Sequence, residues 1–119
     1  MSLKKNNLFQ SFLSIIENQN LKKEWEKDTH FKEKFFDYLY ADLISINNPN
    51  ILEFGVHAGF STSIFLDVCN LNNGKLYSID VEDFSKNFKD PNWKFIQSRD
   101  DNFDYIEKLI PDKVDVILI

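Results

Sequence analysis

Residues 1–46 contain neither glycine nor proline, whereas all three glycines and all three prolines fall between positions 49 and 111. Glycine and proline are the strongest local breakers, so the first stretch is free to run helically and the second must turn repeatedly. Leu8, Phe12, Ile15 and Ile16 recur at helical spacing, and so do Phe35, Leu39, Leu43 and Ile46. Asp28 or Thr29 can cap the second of these helices with a side-chain oxygen. The polar stretch 18–27 either links the two or holds a short helix around Trp25. The cluster Asn47-Asn48-Pro49-Asn50 ends this rhythm. Residues 1–47 are therefore read as an N-terminal helical arm and 48–119 as a second unit.

In that second unit the pattern alternates. Ile51-Leu52-Glu53-Phe54 is a short apolar run into Gly55, and Phe60, Ile64, Phe65 and Val68 then follow at helical spacing. Asn72-Asn73-Gly74 is a turn signal before the strand-like Lys75-Leu76-Tyr77-Ser78-Ile79-Asp80. Asp90-Pro91-Asn92 turns into Trp93-Lys94-Phe95-Ile96-Gln97, and Phe103, Ile106, Leu109 and Ile110 form the next helical stripe. After Pro111, the run Val114-Asp115-Val116-Ile117-Leu118-Ile119 has the apolar end of a strand covered on both faces. Strand, helix, strand, then strand, helix, strand predicts an α/β fold, a Rossmann-like parallel sheet with flanking helices joined by right-handed crossovers.

At 119 residues the chain holds one domain's worth of material, and 43% hydrophobic content with twelve Phe suffices for a core. Fourteen basic against nineteen acidic residues leave a net charge of −5, which disfavours nucleic acid and anionic lipid as partners. No apolar run reaches the roughly 20 residues of a membrane helix, and Asn6, Asn7 and Gln10 interrupt any signal-peptide core. The single cysteine, Cys69, and two separated histidines offer neither an internal disulfide nor a metal site, and the expected setting is cytoplasmic. Cys69 sits on the stripe of Phe65 and reads as a small buried hydrophobe. His30 reads as structural or exposed, and the pairs Phe35-Phe36 and Tyr38-Tyr40 read as helix packing.

The segment Glu53-Phe54-Gly55-Val56-His57-Ala58-Gly59-Phe60-Ser61-Thr62 carries the functional signal. A ligand lying across the carboxyl ends of parallel strands approaches the backbone closely, and glycine gives it room. Asp80 ends the second strand some 25 residues on, where a carboxylate can bond both hydroxyls of a ribose. Together they predict a nucleoside-containing ligand. Glu53 at the first strand end favours a cationic ligand over a dinucleotide pyrophosphate, which wants a helix N-terminus without anionic neighbours.

On these residues, with Phe95 to Gln97 and Val114 to Ile119, residues 50–119 resemble the class I S-adenosylmethionine-dependent methyltransferases. Within them Ile51-Leu52-Glu53-Phe54-Gly55-Val56 and Gly59-Phe60-Ser61-Thr62 are most similar to the macrocin O-methyltransferase and cephalosporin-hydroxylase-like group. The resemblance implies S-adenosylmethionine as cofactor and a small-molecule or sugar hydroxyl as methyl acceptor. It also implies Glu53, Gly55 and Gly59 along the methionine portion, with His57 and Ser61 in the same loop. Asp80 would take the ribose, and the turn Gln97 to Asp100, through Ser98 and Asp100, the adenine. His57 replaces the loop's usual middle glycine, and as a histidine it equally suits a loop residue bonded to backbone. Arg99 stands where related sequences often carry an acid. The likeness covers only the cofactor-binding part, since the chain stops at Ile119 before the family's acceptor-side segments, and no general base is identified. A non-catalytic nucleotide- or nucleoside-binding module, or an NAD-binding domain, is the alternative. The apolar final strand, lacking the neighbour it has in that family, is expected to pair with a second copy of the chain.

Overall fold

A computed structural model describes residues 41–56 and 59–119. After a helical turn, α1 (Ala41–Leu43), the elements run β1 (Asn50–Phe54), α2 (Phe60–Asn72), β2 (Lys75–Asp80), β3 (Trp93–Gln97), α3 (Phe103–Glu107) and β4 (Val116–Leu118). The four strands form one sheet in the order β3-β2-β1-β4, and every pairing is parallel. The fold is thus the Rossmann-like α/β sheet that the alternation predicts. The chain steps outward from β1 through β2 to β3, then returns to place β4 on the other side of β1. Such a reversal opens a crevice at the carboxyl ends of the strands.

Position in the sheet explains the composition of each strand. β1 is central, and Ile51, Leu52 and Glu53 are all buried, as suits a parallel strand covered on both faces. α2 runs four residues beyond Val68 and buries Ile64, Phe65, Leu66, Val68 and Cys69. It ends where Asn73 turns left-handed at φ 57°. On the other side of the sheet Leu52, Ile79, Ile96 and Ile106 form a cluster joined by Phe54, Tyr77, Leu109, Ile110 and Val114. No helix lies between β2 and β3. There Phe88 is buried edge-on against the Trp93 indole at 5.3 Å, and Asp90 Oδ1 accepts the Asn92 amide at 2.8 Å, so Asp90-Pro91-Asn92 turns the chain as expected.

Three expectations change. The helix expected to run through Ile110 stops at Glu107, because Pro111 disfavours helical backbone at the residue before it. Leu109 and Ile110 still pack on the core, but Phe103 is 70% exposed. The last strand is shorter than 114–119 and is not covered on both faces: Val116 and Leu118 are half-buried and Ile117 is 56% exposed. Among the described residues its only strand neighbour is β1, so one edge and part of each face lack cover. Of the helical arm at 1–47, all but Ala41 to Asn47 lies outside the described residues.

The end of α2 is fastened to the segment before β1. Asn72 Nδ2 donates to the carbonyls of Ile44 at 2.6 Å and Ile46 at 3.0 Å, and the Lys75 amide donates to the Pro49 carbonyl at 2.8 Å. Gly74 lies so close to Pro49 that a methyl group there would sit 2.5 Å from its carbonyl oxygen and 2.6 Å from Cγ. Neither backbone nor a proline ring yields easily. Gly74→Ala is therefore expected to lower stability by about 1–3 kcal/mol in denaturant unfolding, as overpacking does.

Candidate functional site

The turn between β1 and α2 is held open by two glycines in left-handed backbone, Gly55 at φ 94° and Gly59 at φ 82°. Any residue with a Cβ is strained in that region. The Gly55 amide donates to the Ile79 carbonyl at 2.7 Å, which extends the β1–β2 ladder by one step. A Cβ on Gly55 would meet nothing within 4 Å, so space opens directly beside its backbone. Gly59 is the N-cap of α2, and its carbonyl accepts the Ser63 amide at 3.0 Å.

Asp80 braces this turn from the end of β2. Its Oδ2 accepts the Val56 amide at 2.9 Å, and its Oδ1 accepts the Glu82 amide at 3.1 Å. A carboxylate offers about four acceptor positions, so two remain for a ligand. From β3, the Ser98 amide donates to the Asp80 carbonyl at 2.9 Å, drawing the two strand ends together. A cavity of about 250 Å³ occupies the crevice and is lined by Phe54, Gly55, Ile79, Asp80, Val81, Ser98, Asp100 and Ile119. A second depression, of about 290 Å³, shares Phe54, Asp100 and Ile119 with it and adds Asp101 and Phe103. Two carboxylates line the first cavity, and no lysine, arginine or histidine does so among the described residues.

Gly55, Asp80, Ser98 and Asp100 thus meet around one cavity. Glu53, Gly59 and Ser61 do not line it. Glu53 has no exposed surface, and its carboxylate is gripped by three hydroxyls: Ser61 Oγ donates to Oε2, while Thr62 Oγ1 at 2.7 Å and Ser78 Oγ at 2.8 Å donate to Oε1. The Trp93 indole N–H in turn donates to Ser78 Oγ at 2.9 Å. His57 lies outside the described residues. Thr62 and Ser78 were not among the sequence-predicted residues, yet a glutamate inside an apolar run needs donors, and Ser78 is its register partner on β2. Among the described residues no group of three or more His, Cys, Asp or Glu is placed to hold a metal, and no helix is long and apolar enough to cross a membrane.

No family model matches the chain, and no curated protein matches it. Among solved structures it is similar to MycE methyltransferase from the mycinamycin biosynthetic pathway, solved in complex with Mg, SAH and mycinamycin VI. This chain shares its fold with a methyltransferase. The similarity has a TM-score of 0.50 at 18% identity, covering 73% of this chain and 23% of that one. The chain therefore spans about a quarter of that protein's length.

Burial pushes the Glu53 carboxyl up from 4.5 to about 7, with the Asp80 charge adding to the rise and the three hydroxyls opposing it. A folded-state value above the unfolded one means that the native state binds the extra proton. Its contribution to stability is complete below pH 4.5 and is lost as pH rises through 7. Thermal or urea unfolding between pH 5 and 8 is expected to show stability falling with pH, by at most about 3 kcal/mol from this group. Glu53→Gln, which keeps the shape without the charge, should flatten that part of the profile.

Proposed function

We propose that this chain binds S-adenosylmethionine in the crevice at the carboxyl ends of β1, β2 and β3, as the cofactor-binding part of a methyltransferase acting on a hydroxyl of a small molecule or sugar. The observation that carries the reading is the charge and shape of the cavity: open space beside left-handed Gly55, two lining carboxylates and, among the described residues, no lining cation. A pyrophosphate would meet repulsion there, whereas a nucleoside bearing a positive sulfonium is attracted. The similarity of fold to a methyltransferase solved with SAH supports the same reading.

Each residue then has a physical task. Asp80, already oriented by two backbone amides, turns its remaining acceptor positions to the ribose hydroxyls. Asp100 accepts from the adenine amino group, and Phe54, Ile79 and Val81 supply apolar surface for the ring. Gly55 lets the amino-acid portion lie against backbone. Bound there, the cofactor supplies an electrophilic methyl group. The chain's own contribution is to hold that nucleoside in one orientation.

Isothermal titration against S-adenosylmethionine, S-adenosylhomocysteine and NAD tests this. The two adenosyl amino acids are expected to bind and NAD not to bind, and preference for NAD would overturn the reading. Asp80→Asn keeps an acceptor for the Val56 amide but gives up the charge. It is expected to weaken adenosyl binding at least tenfold, since a hydrogen bond to a charged group is worth about 1.5–3 kcal/mol.

A further inference from the structure

Glu53 is built so that either protonation state satisfies its surroundings. Ionised, it accepts from the hydroxyls of Ser61, Thr62 and Ser78. A hydroxyl can also accept, so a protonated Oε2 donates to Ser61 Oγ while Oε1 keeps its two donors. Ser61 is half-buried, in the first turn of α2, and its hydroxyl hydrogen is then free to turn elsewhere. No hydrogen bond is lost in the exchange. Burial favours the protonated form and the hydroxyls the ionised one, so a charge placed nearby tips the balance.

Among the described residues, the charges that face this site come from few places. β2 brings Asp80, which opposes ionisation, and among the described residues no lysine or arginine acts on Glu53. β4 places the apolar Leu118 opposite it in register. α2 brings Ser61 and Thr62, and that helix's one acid, Asp67, lies more than a turn beyond them. Glu53 is also two residues upstream of Gly55, which lines the cavity. A positive charge in that cavity supplies a counter-ion that the described surroundings of Glu53 do not.

We propose that Glu53 senses the charge of the bound nucleoside: it stays ionised opposite a sulfonium and takes a proton from solvent when a neutral sulfide replaces it, so that exchange of cofactor for product is coupled to proton uptake. This rests on the proposed function, and it makes Glu53 a positioning and discriminating residue, not a catalytic one. With its pKa near 7 in the chain without ligand, the carboxyl is poised to respond at neutral pH.

Calorimetric titration of the whole chain in buffers of different ionisation enthalpy counts the protons moved. At pH 7, S-adenosylmethionine is expected to release up to about half a proton per site, and S-adenosylhomocysteine far less. The two ligands carry the same amino and carboxyl groups, so the difference isolates the sulfonium. It should fade at pH 5 and pH 9, and the affinity ratio of the pair should rise several-fold from pH 6 to pH 8. In Glu53→Gln both effects are expected to vanish. Should that variant fail to fold, the pH dependence of the wild-type difference still decides. Binding of both ligands with equal proton counts, or with a difference independent of pH, overturns the inference and leaves the proposed function standing. Binding of neither ligand overturns the proposed function, and the inference with it.

Discussion

The buried carboxylate of Glu53 ties the sheet to the helix that follows it. A glutamate without exposed surface is tolerable only with its lone pairs occupied, and here the donors come from three other elements: Ser61 and Thr62 on α2, Ser78 on β2, and Trp93 on β3 through Ser78. Removing one partner would leave a charge or a hydroxyl stranded in the interior, so the members hold one another to a single arrangement. The first turn of α2 is thereby pulled onto the end of β1. The chain between them must reverse in a few residues, and it does so through left-handed Gly55 and Gly59. Asp80 fastens the same turn from the far side through the Val56 amide. The open space beside Gly55 follows from these two anchors.

Much of this was legible in the sequence because it rests on local signals. Strand ends, the turns at Asn72-Asn73-Gly74 and Asp90-Pro91-Asn92, and the long stripe of α2 are periodicity and turn chemistry, which act over a few residues. The convergence of Gly55, Asp80, Ser98 and Asp100 was legible too, since parallel strands in this order bring their carboxyl ends to one edge. Glu53 was read as a ligand contact, whereas the structure engages it with hydroxyls from α2 and β2. That pairing depends on β1–β2 register and on the rotation of α2, neither of which a linear pattern reveals. The same limit applies to Phe103 and β4. Their apolar residues fit a buried stripe, but burial depends on what lies opposite, and among the described residues little does.

Charge at the end of β3 completes the logic of the cavity. Arg99 departs from the acid expected there by resemblance, and an unpaired guanidinium beside Asp80 would have welcomed phosphate. Instead its Nε and terminal nitrogen bond both oxygens of Asp101, at 3.0 and 2.8 Å, in an exposed two-pronged pair. Such a pair adds little to stability in water, yet it fixes where the charge sits. The three residues Arg99, Asp100 and Asp101 together carry one net negative charge. With arginine spent on Asp101, that charge resides on Asp100, which lines the cavity while Arg99 does not. A substitution that looks, in sequence, like an inversion of local charge therefore leaves Asp100, the acid of this segment that lines the cavity, outside the ion pair.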